Sequence, residues 1–227
     1  MAVITIIPAY NEEKSIAKVV KSSLKYSEVM VIDDGSEDKT FEMAKNAGAI
    51  IIQHSKNLGK GAALKAGLHF ALDKKYDEVI LIDGDCQHDP SYIPILISHL
   101  GKADLIIGSR FKDGSPENMP FQRKLSNRLT SFIMRHLTGY HLTDSQSGFR
   151  ALKYQTVALF LDIEYNDYIY ESEMLYKAYK NDLNVEEVSI SCIYGDEKSS
   201  ITSKTAMNYL WFVIKRIFKK TKRRLVR

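Results

Sequence analysis

The chain of 227 residues has little cysteine and no long apolar run. Its two cysteines, Cys86 and Cys192, are too few for a disulfide framework and too isolated for a zinc ribbon. Such sparse cysteine favours a reducing, cytoplasmic compartment. No stretch approaches the roughly 20 apolar residues that a membrane-spanning helix requires. The N-terminal residues lack a positively charged leader and have the character of a strand, so we expect no signal peptide.

Positive charge is concentrated at the C-terminal end of the chain. Nine Lys and Arg residues and no acidic residue lie between Lys204 and Arg227, whereas the rest of the chain carries 23 basic and 28 acidic residues. An evenly basic nucleic-acid-binding domain would not have this distribution, so we expect no nucleic acid partner. Apolar residues make up 44% of the sequence, which excludes wholesale disorder.

Short apolar runs alternate with amphipathic segments in the N-terminal part of the chain. This alternation predicts an α/β fold with a mostly parallel sheet and helices on both faces. The expected strands are Val3–Ile7, Val29–Ile32, Ile50–Ile52, Val79–Ile82, Leu105–Ile107 and, further on, Val185–Ile190. The expected helices are Glu12–Leu24, Asp38–Ala47, Gly61–Leu72, Tyr92–Leu100, Phe121–Leu137 and Tyr168–Lys180.

Polar segments follow four of the predicted strands. In a parallel α/β sheet, ligands bind beyond the carboxyl ends of the strands. Carboxylates, a small-residue turn and one guanidinium would therefore meet in a single crevice, which indicates a site. The four segments are Pro8-Ala9-Tyr10-Asn11-Glu12, Asp33-Asp34-Gly35-Ser36, Asp83-Gly84-Asp85 and Gly108-Ser109-Arg110.

The pair Asp83 and Asp85 is the strongest local signal of chemistry. Two carboxylates held close together repel each other unless they share a cation. A hard divalent ion such as Mg²⁺ or Mn²⁺ fits, because it binds through one or two carboxylates plus substrate phosphates. The alternative is a solvated turn, since Asp-Gly-Asp is also an ordinary hairpin sequence.

Two further segments could contact a nucleotide. Gly59-Lys60-Gly61 opens a predicted helix, where backbone amides and Lys60 could cradle a phosphate. Asp33 or Asp34 could accept hydrogen bonds from a nucleobase or a ribose. The chain has neither the Walker A spacing nor Gly-x-Gly-x-x-Gly after its first strand, which argues against a dinucleotide oxidoreductase.

The basic segment Thr205–Arg227 has helical spacing and one broad apolar face. A basic amphipathic helix that carries Trp and Phe residues is typical of an interfacial membrane anchor. The alternatives are a core-packed helix that ends in a solvated tail, and an arm that binds nucleic acid. The apolar face consists of Ala206, Tyr209, Leu210, Phe212, Val213, Ile217 and Phe218.

Six ordered segments give the chain a resemblance to a known family. They are IIPAYNE, VIDDGS, NLGKGAALKAG, IDGDCQHDP, GSR and DSQSGFRA. In this order they resemble glycosyltransferase family 2, whose fold is GT-A, and within it the polyprenyl-phosphate (dolichyl-phosphate) mannosyl- and glucosyltransferases. The resemblance specifies the family much more closely than it specifies the sugar.

The resemblance implies roles for individual residues. Asp83, Asp85 and Gln87 match the metal site, with Mg²⁺ or Mn²⁺ as the cofactor. Arg110 matches a residue near the donor phosphates or sugar, and we expect Asp85, Arg110 and Lys198 to be catalytic. The expected nucleotide-sugar contacts are Pro8, Ala9, Tyr10, Glu12, Asp33, Asp34, Lys60, Asp83 and Gly84.

A late loop departs from the family pattern Arg-x-x-Gly-x-Ser-Lys. Gly195 and Lys198 match its Gly and Lys, but Cys192 stands where the Arg would be, and the Ser moves to Ser199 and Ser200. Another cation would then have to contact the acceptor phosphate. The candidates for that contact are Arg123, Arg128, Lys198 and Ser199.

The resemblance implies an inverting, metal-dependent transfer of a single sugar from a nucleoside diphosphate sugar to a dolichyl or undecaprenyl phosphate. We expect mannose from GDP-mannose, with glucose from UDP-glucose as the alternative, at the inner face of the cytoplasmic membrane. A lipid phosphate is already an anion and needs no general base. A membrane subunit or a second copy of the chain could be a further partner.

Two rival functions stay open at the level of sequence. A family 2 transferase that acts on a hydroxyl of a glycan or soluble acceptor would need a base, for which Glu171 and Glu173 are the candidates. A nucleotide-sugar-binding module without turnover is the second rival. We expect a catalytic domain over residues 1–200, with a donor half (1–110) and an acceptor half (111–200), followed by the basic tail (201–227).

Overall fold

The computed structural model describes residues 2–114, 116, 119–193 and 203–224. Its centre is a seven-stranded sheet with the order β3-β2-β1-β4-β6-β5-β7. Neighbouring strands run parallel, except that β6 runs antiparallel to both β4 and β5. The strands are β1 (Val3–Ala9), β2 (Glu28–Asp33), β3 (Ile50–Gln53), β4 (Glu78–Leu81), β5 (Leu105–Ser109), β6 (Arg150–Lys153) and β7 (Val185–Ser189).

Helices cover both faces of the sheet. The core on one face contains buried residues of α1, α2 and α4, and the core on the other contains buried residues of α3, α5, α6, α7 and α8. This arrangement confirms the predicted α/β fold with a C-terminal helix. The helices are α1 (Ile16–Ser23), α2 (Thr40–Asn46), α3 (Lys60–Lys74), α4 (Ile93–His99), α5 (Phe121–Thr138), α6 (Tyr154–Val157), α7 (Tyr170–Lys180) and α8 (Ser203–Arg224).

Helix α1 begins four residues later than the apolar pattern predicts. The carbonyl of Glu12 accepts hydrogen bonds from the amides of Ser15 and Ile16, so residues 12–15 form a turn. The amide of Glu12 donates to the hydroxyl of Thr40 at 2.7 Å, which ties this turn to the start of α2. The segment between β1 and α1 is therefore a turn and not a helix where it reaches the site.

Helix α8 packs against the body of the protein through one side. Phe212 is fully buried, Val213 and Arg216 are buried, and the Phe212 ring meets the Tyr165 ring edge-on with centroids 5.6 Å apart. Leu210 and Ile217 of the predicted apolar face are exposed, and so is the neighbouring Trp211. The predicted apolar face is therefore divided, with one part in the core and another part on the surface.

We predict that Phe212→Ala lowers the free energy of unfolding by about 3–5 kcal/mol, because it leaves a cavity in the core. Trp211→Ala, one residue away, should change stability by no more than about 0.5 kcal/mol, as expected for a surface position. Urea unfolding followed by far-ultraviolet circular dichroism measures both changes. Equally small effects of the two substitutions would contradict the packing of α8 on the body.

Candidate active site

A cavity of about 390 Å³ opens at the carboxyl ends of β1, β2 and β4. The predicted nucleotide-sugar contacts all line it, with the single exception of Asp33. The cavity brings together segments that are far apart in the chain, as the strand-end pattern predicts. Its lining residues are Pro8, Ala9, Tyr10, Glu12, Asp34, Asn57, Gly59, Lys60, Asp83, Gly84, Asp85, Asp167 and Tyr168.

The adjacent carboxylates Asp33 and Asp34 have different surroundings. Asp33 is fully buried, and its oxygens accept hydrogen bonds from the amide of Ser36 at 3.0 Å and from Nε2 of Gln53 at 2.8 Å. Asp33 therefore fixes the turn after β2. Asp34 lines the cavity, and its Oδ1 lies 2.7 Å from Nδ1 of His54.

Asp34 also joins β2 to the loop that precedes α3. Its two oxygens accept hydrogen bonds from the amides of Leu58 and Gly59, at 3.0 and 2.7 Å. Gly35, the next residue, has φ +75°, and a Cβ there would lie 2.5 Å from the carbonyl carbon of Lys56. Only glycine fits this turn, which holds the two loops in contact.

Lys60 lies between two carboxylates at the edge of the cavity. Its Nζ is 2.6 Å from Oδ1 of Asp83 and 2.7 Å from Oε1 of Glu171. Burial would lower the pKa of Lys60, but the two carboxylates raise it above its usual value. Burial would raise the pKa of Asp83, but Lys60 holds it below its usual value. The net shift of each pKa therefore favours the charged form of Lys60 and of Asp83.

The backbone amides beside Lys60 are used within the chain. The amide of Gly59 donates to Asp34, and the amide of Gly61 donates to the carbonyl of Asn166 at 2.9 Å. The two glycine amides of the predicted phosphate cradle are therefore directed to acceptors within the chain, whereas Lys60 of the same segment lines the cavity. The loop instead serves to hold the start of α3 in place.

Asp83 and Asp85 are the two carboxylates that could hold a hard divalent cation, and Oδ1 of Asp83 lies on Lys60 in the structure. Both line the cavity, and Oδ1 of Asp85 accepts a hydrogen bond from the amide of Gln87 at 3.0 Å, which orders the loop. Over the described ranges, no three or more His, Cys, Asp or Glu side chains are grouped so that they could hold a metal. Two carboxylates leave room in the coordination shell for substrate phosphates and water, as is usual for Mg²⁺. Gln87 itself is not among the residues that line the cavity.

Arg110 is held by a carboxylate that the sequence did not single out. Its Nε and Nη2 donate to the two oxygens of Asp144 at 2.7 and 2.9 Å, and Asn127 adds a further hydrogen bond at 2.7 Å. Burial would raise the pKa of Asp144, but Arg110 and Asn127 hold it below its ordinary value of 3.8. Asp144 is the first residue of DSQSGFRA, a segment that carries the family resemblance but did not indicate that Asp144 pairs with Arg110. Arg110 is not among the residues that line the cavity.

A second, apolar cavity of about 290 Å³ lies between α5 and α8. Tyr168 lines both this groove and the first cavity, so the two spaces meet at one side chain. We call this second cavity the α5–α8 groove. Its lining residues are Ser126, Leu129, Thr130, Ile133, Gln146, Tyr168, Ile169, Tyr209, Leu210 and Val213.

The predicted acceptor-phosphate contacts are described only in part. Arg123 is half-buried and Arg128 is exposed, and both belong to α5, which forms one wall of the α5–α8 groove. Lys198 and Ser199 lie outside the described residues. The structure therefore places two of the four candidates on the helix beside the groove.

Neither candidate base lines the first cavity. Glu171 is buried with its Oε1 on Lys60. Glu173 is buried with its Oε1 2.6 Å from Nη2 of Arg216 in α8. Asp167, which the sequence did not single out, is a carboxylate that does line the cavity.

Sequence comparisons match the chain to a protein family and to named relatives. The family model of Glycosyl transferase family 2 matches residues 4–158. A UDP-N-acetylglucosamine–dolichyl-phosphate N-acetylglucosaminyltransferase from Methanococcus voltae is 35% identical, over 84% of this chain and 85% of its own. An undecaprenyl-phosphate mannosyltransferase from Micrococcus luteus is 32% identical over 88% of each chain.

A solved structure shares the fold. Glucosyl-3-phosphoglycerate synthase from Mycobacterium tuberculosis, in complex with Mn²⁺, UDP-glucose and phosphoglyceric acid, matches with a TM-score of 0.74. The match covers 95% of this chain and 79% of that chain at 20% sequence identity. Together with the family match, this likeness confirms the GT-A fold.

We predict that Asp144→Asn lowers the free energy of unfolding by about 3 kcal/mol at pH 7, because it leaves the guanidinium of Arg110 without its buried partner. The folded-state pKa of Asp144 lies below 3.8, so its contribution is present above that pH and is lost as the pH falls through the folded-state value. The difference between wild type and variant should therefore shrink below about pH 4.

Asp162→Asn is the matched control, because Asp162 pairs with Lys177 at an exposed site. It should change stability by less than about 1 kcal/mol. Urea unfolding of both variants at pH 7, 5 and 3.5 makes the comparison. If the two substitutions cost the same, the Arg110–Asp144 pair does not have the role that its burial indicates.

Proposed function

Since the chain belongs to glycosyl transferase family 2 and is a glycosyltransferase, we propose that it transfers one sugar from a nucleoside diphosphate sugar to a polyprenyl phosphate, with inversion. The single observation that carries the lipid acceptor is the apolar α5–α8 groove, which meets the first cavity at Tyr168. A water-soluble donor in one space and an isoprenoid chain in the other would bring their reacting groups together at this boundary.

The composition of the first cavity supports a donor site that includes a metal ion. Its acidic lining residues are Glu12, Asp34, Asp83, Asp85 and Asp167. A diphosphate would be repelled by these carboxylates unless a cation lay between them. Asp83 and Asp85, with Gln87 as a further candidate, would hold Mg²⁺ or Mn²⁺, and such an ion supplies charge that stabilises the leaving diphosphate.

The reaction itself is a displacement at the anomeric carbon. An oxygen of the acceptor phosphate attacks on the face opposite the leaving group, a new carbon–oxygen bond forms, and the bond to the diphosphate breaks. Because the acceptor is already an anion near neutral pH, no proton has to be removed. The two Glu residues that could have served as a base are instead engaged by Lys60 and Arg216, which favours the phosphate over the hydroxyl acceptor.

Exposed apolar side chains beside the α5–α8 groove support contact with a membrane surface. None of the described helices combines the length and the apolar character that a bilayer span needs. The exposed apolar side chains would hold the chain at the interface, where a polybasic segment adds about 1 kcal/mol per charge. The exposed apolar residues are Phe121, Leu125, Leu129 and Phe132 on α5, and Met207, Leu210, Trp211 and Ile217 on α8.

The identity of the transferred sugar can be tested directly. Purified protein is incubated with Mn²⁺, polyprenyl phosphate in detergent and labelled GDP-mannose, UDP-glucose or UDP-N-acetylglucosamine, the last because one relative carries that donor in its name. Transfer of label into the organic phase from one donor supports the proposal. Mannose stays the sugar expected from the sequence. Label that enters only a water-soluble product would contradict a lipid acceptor.

We predict that Asp85→Asn lowers kcat by about 10²-fold or more, because charge stabilisation by a metal ion is worth several kcal/mol. Asp167→Asn, in the same cavity, should leave kcat within about tenfold, since losing a general base would cost about 10²- to 10⁴-fold. Steady-state rates at saturating donor, with EDTA as a parallel test, separate the two. An inactive Asp167→Asn variant would favour the hydroxyl acceptor.

We predict that Leu129→Glu raises KM for a long-chain polyprenyl phosphate about tenfold or more, because a carboxylate in the groove opposes burial of the isoprenoid chain. Phe132→Glu is the matched control, since Phe132 is 51% exposed and Leu129 58% on the same helix, but only Leu129 lines the groove. The assay uses detergent-dispersed lipid, so that membrane binding is not limiting. Equal effects on KM would show that the groove does not hold the acceptor.

A further inference from the structure

Helix α8 is tied to the rest of the protein by a buried ion pair. Nη2 of Arg216 lies 2.6 Å from Oε1 of Glu173, and the side chains are only 4% and 1% exposed. The guanidinium also lies over the rings of Tyr176 and Phe212, 5.1 and 5.2 Å from their centroids. Because either charge alone would be costly here, the pair favours one fixed arrangement of α7 and α8.

The other oxygen of Glu173 holds the loop that precedes α7. Oε2 accepts hydrogen bonds from the amides of Glu164 and Tyr165, at 3.0 and 3.1 Å. The ring of Tyr165 packs against Phe212 of α8. The buried Glu173 carboxylate therefore joins α8 to loop 164–169, in addition to the more exposed pair of Lys215 with Glu164.

Loop 164–169 forms part of the donor cavity. The carbonyl oxygen of Asn166 accepts a hydrogen bond from the amide of Gly61. A Cβ on Gly59 would lie 2.4 Å from the same oxygen. This close approach fixes the loop against the start of α3. The next two residues, Asp167 and Tyr168, line the cavity. A shift of the loop would therefore move a wall of the donor site.

We infer that Arg216 is a positioning residue: through Glu173 it holds loop 164–169 against α3 and thereby raises the affinity of the cavity for the donor nucleotide. Arg216 itself acts from behind the cavity wall, on the far side of the Glu173 carboxylate. The inference rests on the proposed donor site, and it does not depend on which acceptor is used. It also gives α8 a part in donor binding in addition to its proposed contact with the membrane.

The test uses the full chain and the substitution Arg216→Met. Binding of UDP and of GDP, each with Mn²⁺, is measured by isothermal titration calorimetry at a temperature where every variant is folded. We expect the dissociation constant of the bound nucleotide to rise about fivefold or more, the lower end of usual coupling between sites. The donor KM should rise by a similar factor, with a smaller change in kcat.

Lys215→Met is the matched control on the same helix. Lys215 pairs with Glu164 at 2.6 Å, but these side chains are 36% and 49% exposed. This substitution should leave nucleotide affinity unchanged. Unchanged nucleotide affinity in Arg216→Met would overturn this inference but not the proposed donor site. Failure of the wild type to bind either nucleotide would overturn the proposed donor site as well.

The double variant Glu173→Gln with Arg216→Met guards against a simple loss of stability. It removes both buried charges, so its melting temperature should exceed that of Arg216→Met. The buried ion pair that links α8 to the loop is still absent, and we expect the affinity of the double variant for nucleotide to stay low. If the double variant binds nucleotide as tightly as the wild type, the effect of the single substitution comes from an unpaired charge and the inference is wrong.

Discussion

The ammonium group of Lys60, held between Asp83 and Glu171, is the interaction on which the rest of the site depends. The three residues come from the start of α3, the loop after β4 and the first turn of α7. A largely buried cation needs both carboxylates, and removing one partner would leave a charge without compensation. The pairing thus brings two helices and a loop to one point, and its Asp83 is also one of the two carboxylates that would hold a metal ion.

Carboxylates that are close together in the sequence have separate tasks in this structure. Asp33 stabilises the turn after β2, whereas Asp34 faces the cavity. Glu171 pairs with Lys60 at the cavity, whereas Glu173 pairs with Arg216 under α8. Asp34 thus lines the cavity on a turn that Asp33 stabilises, whereas Glu171 reaches the cavity only through Lys60 and Glu173 holds the loop before α7. An acidic motif in such a sequence is therefore not by itself a set of ligands.

Local patterns predicted six of the seven strands, all but the antiparallel β6, and the cavity at the strand ends, because apolar periodicity and strand-end loops are properties of short segments. The pairings between distant segments were not predictable in the same way. Arg216 belongs to a basic tail and has the sequence context of a solvated cation, yet it is buried against a Glu that lies 43 positions earlier. Asp144 was likewise missed as the partner of Arg110, 34 positions away. Periodicity shows which side of a helix is apolar, but it does not show which cation has a buried partner.

The α5–α8 groove would align the lipid acceptor with the donor more than it would raise the affinity for that acceptor. An isoprenoid chain that leaves a bilayer for an apolar groove exchanges one apolar environment for another, so little hydrophobic free energy is gained. Most of the affinity for a lipid acceptor must then come from its phosphate, through cations near the junction of the two cavities. The groove would determine where that phosphate lies relative to the donor. Tyr168 stands at this junction, in the loop that Glu173 holds, so the same backbone segment would position both the donor and the acceptor.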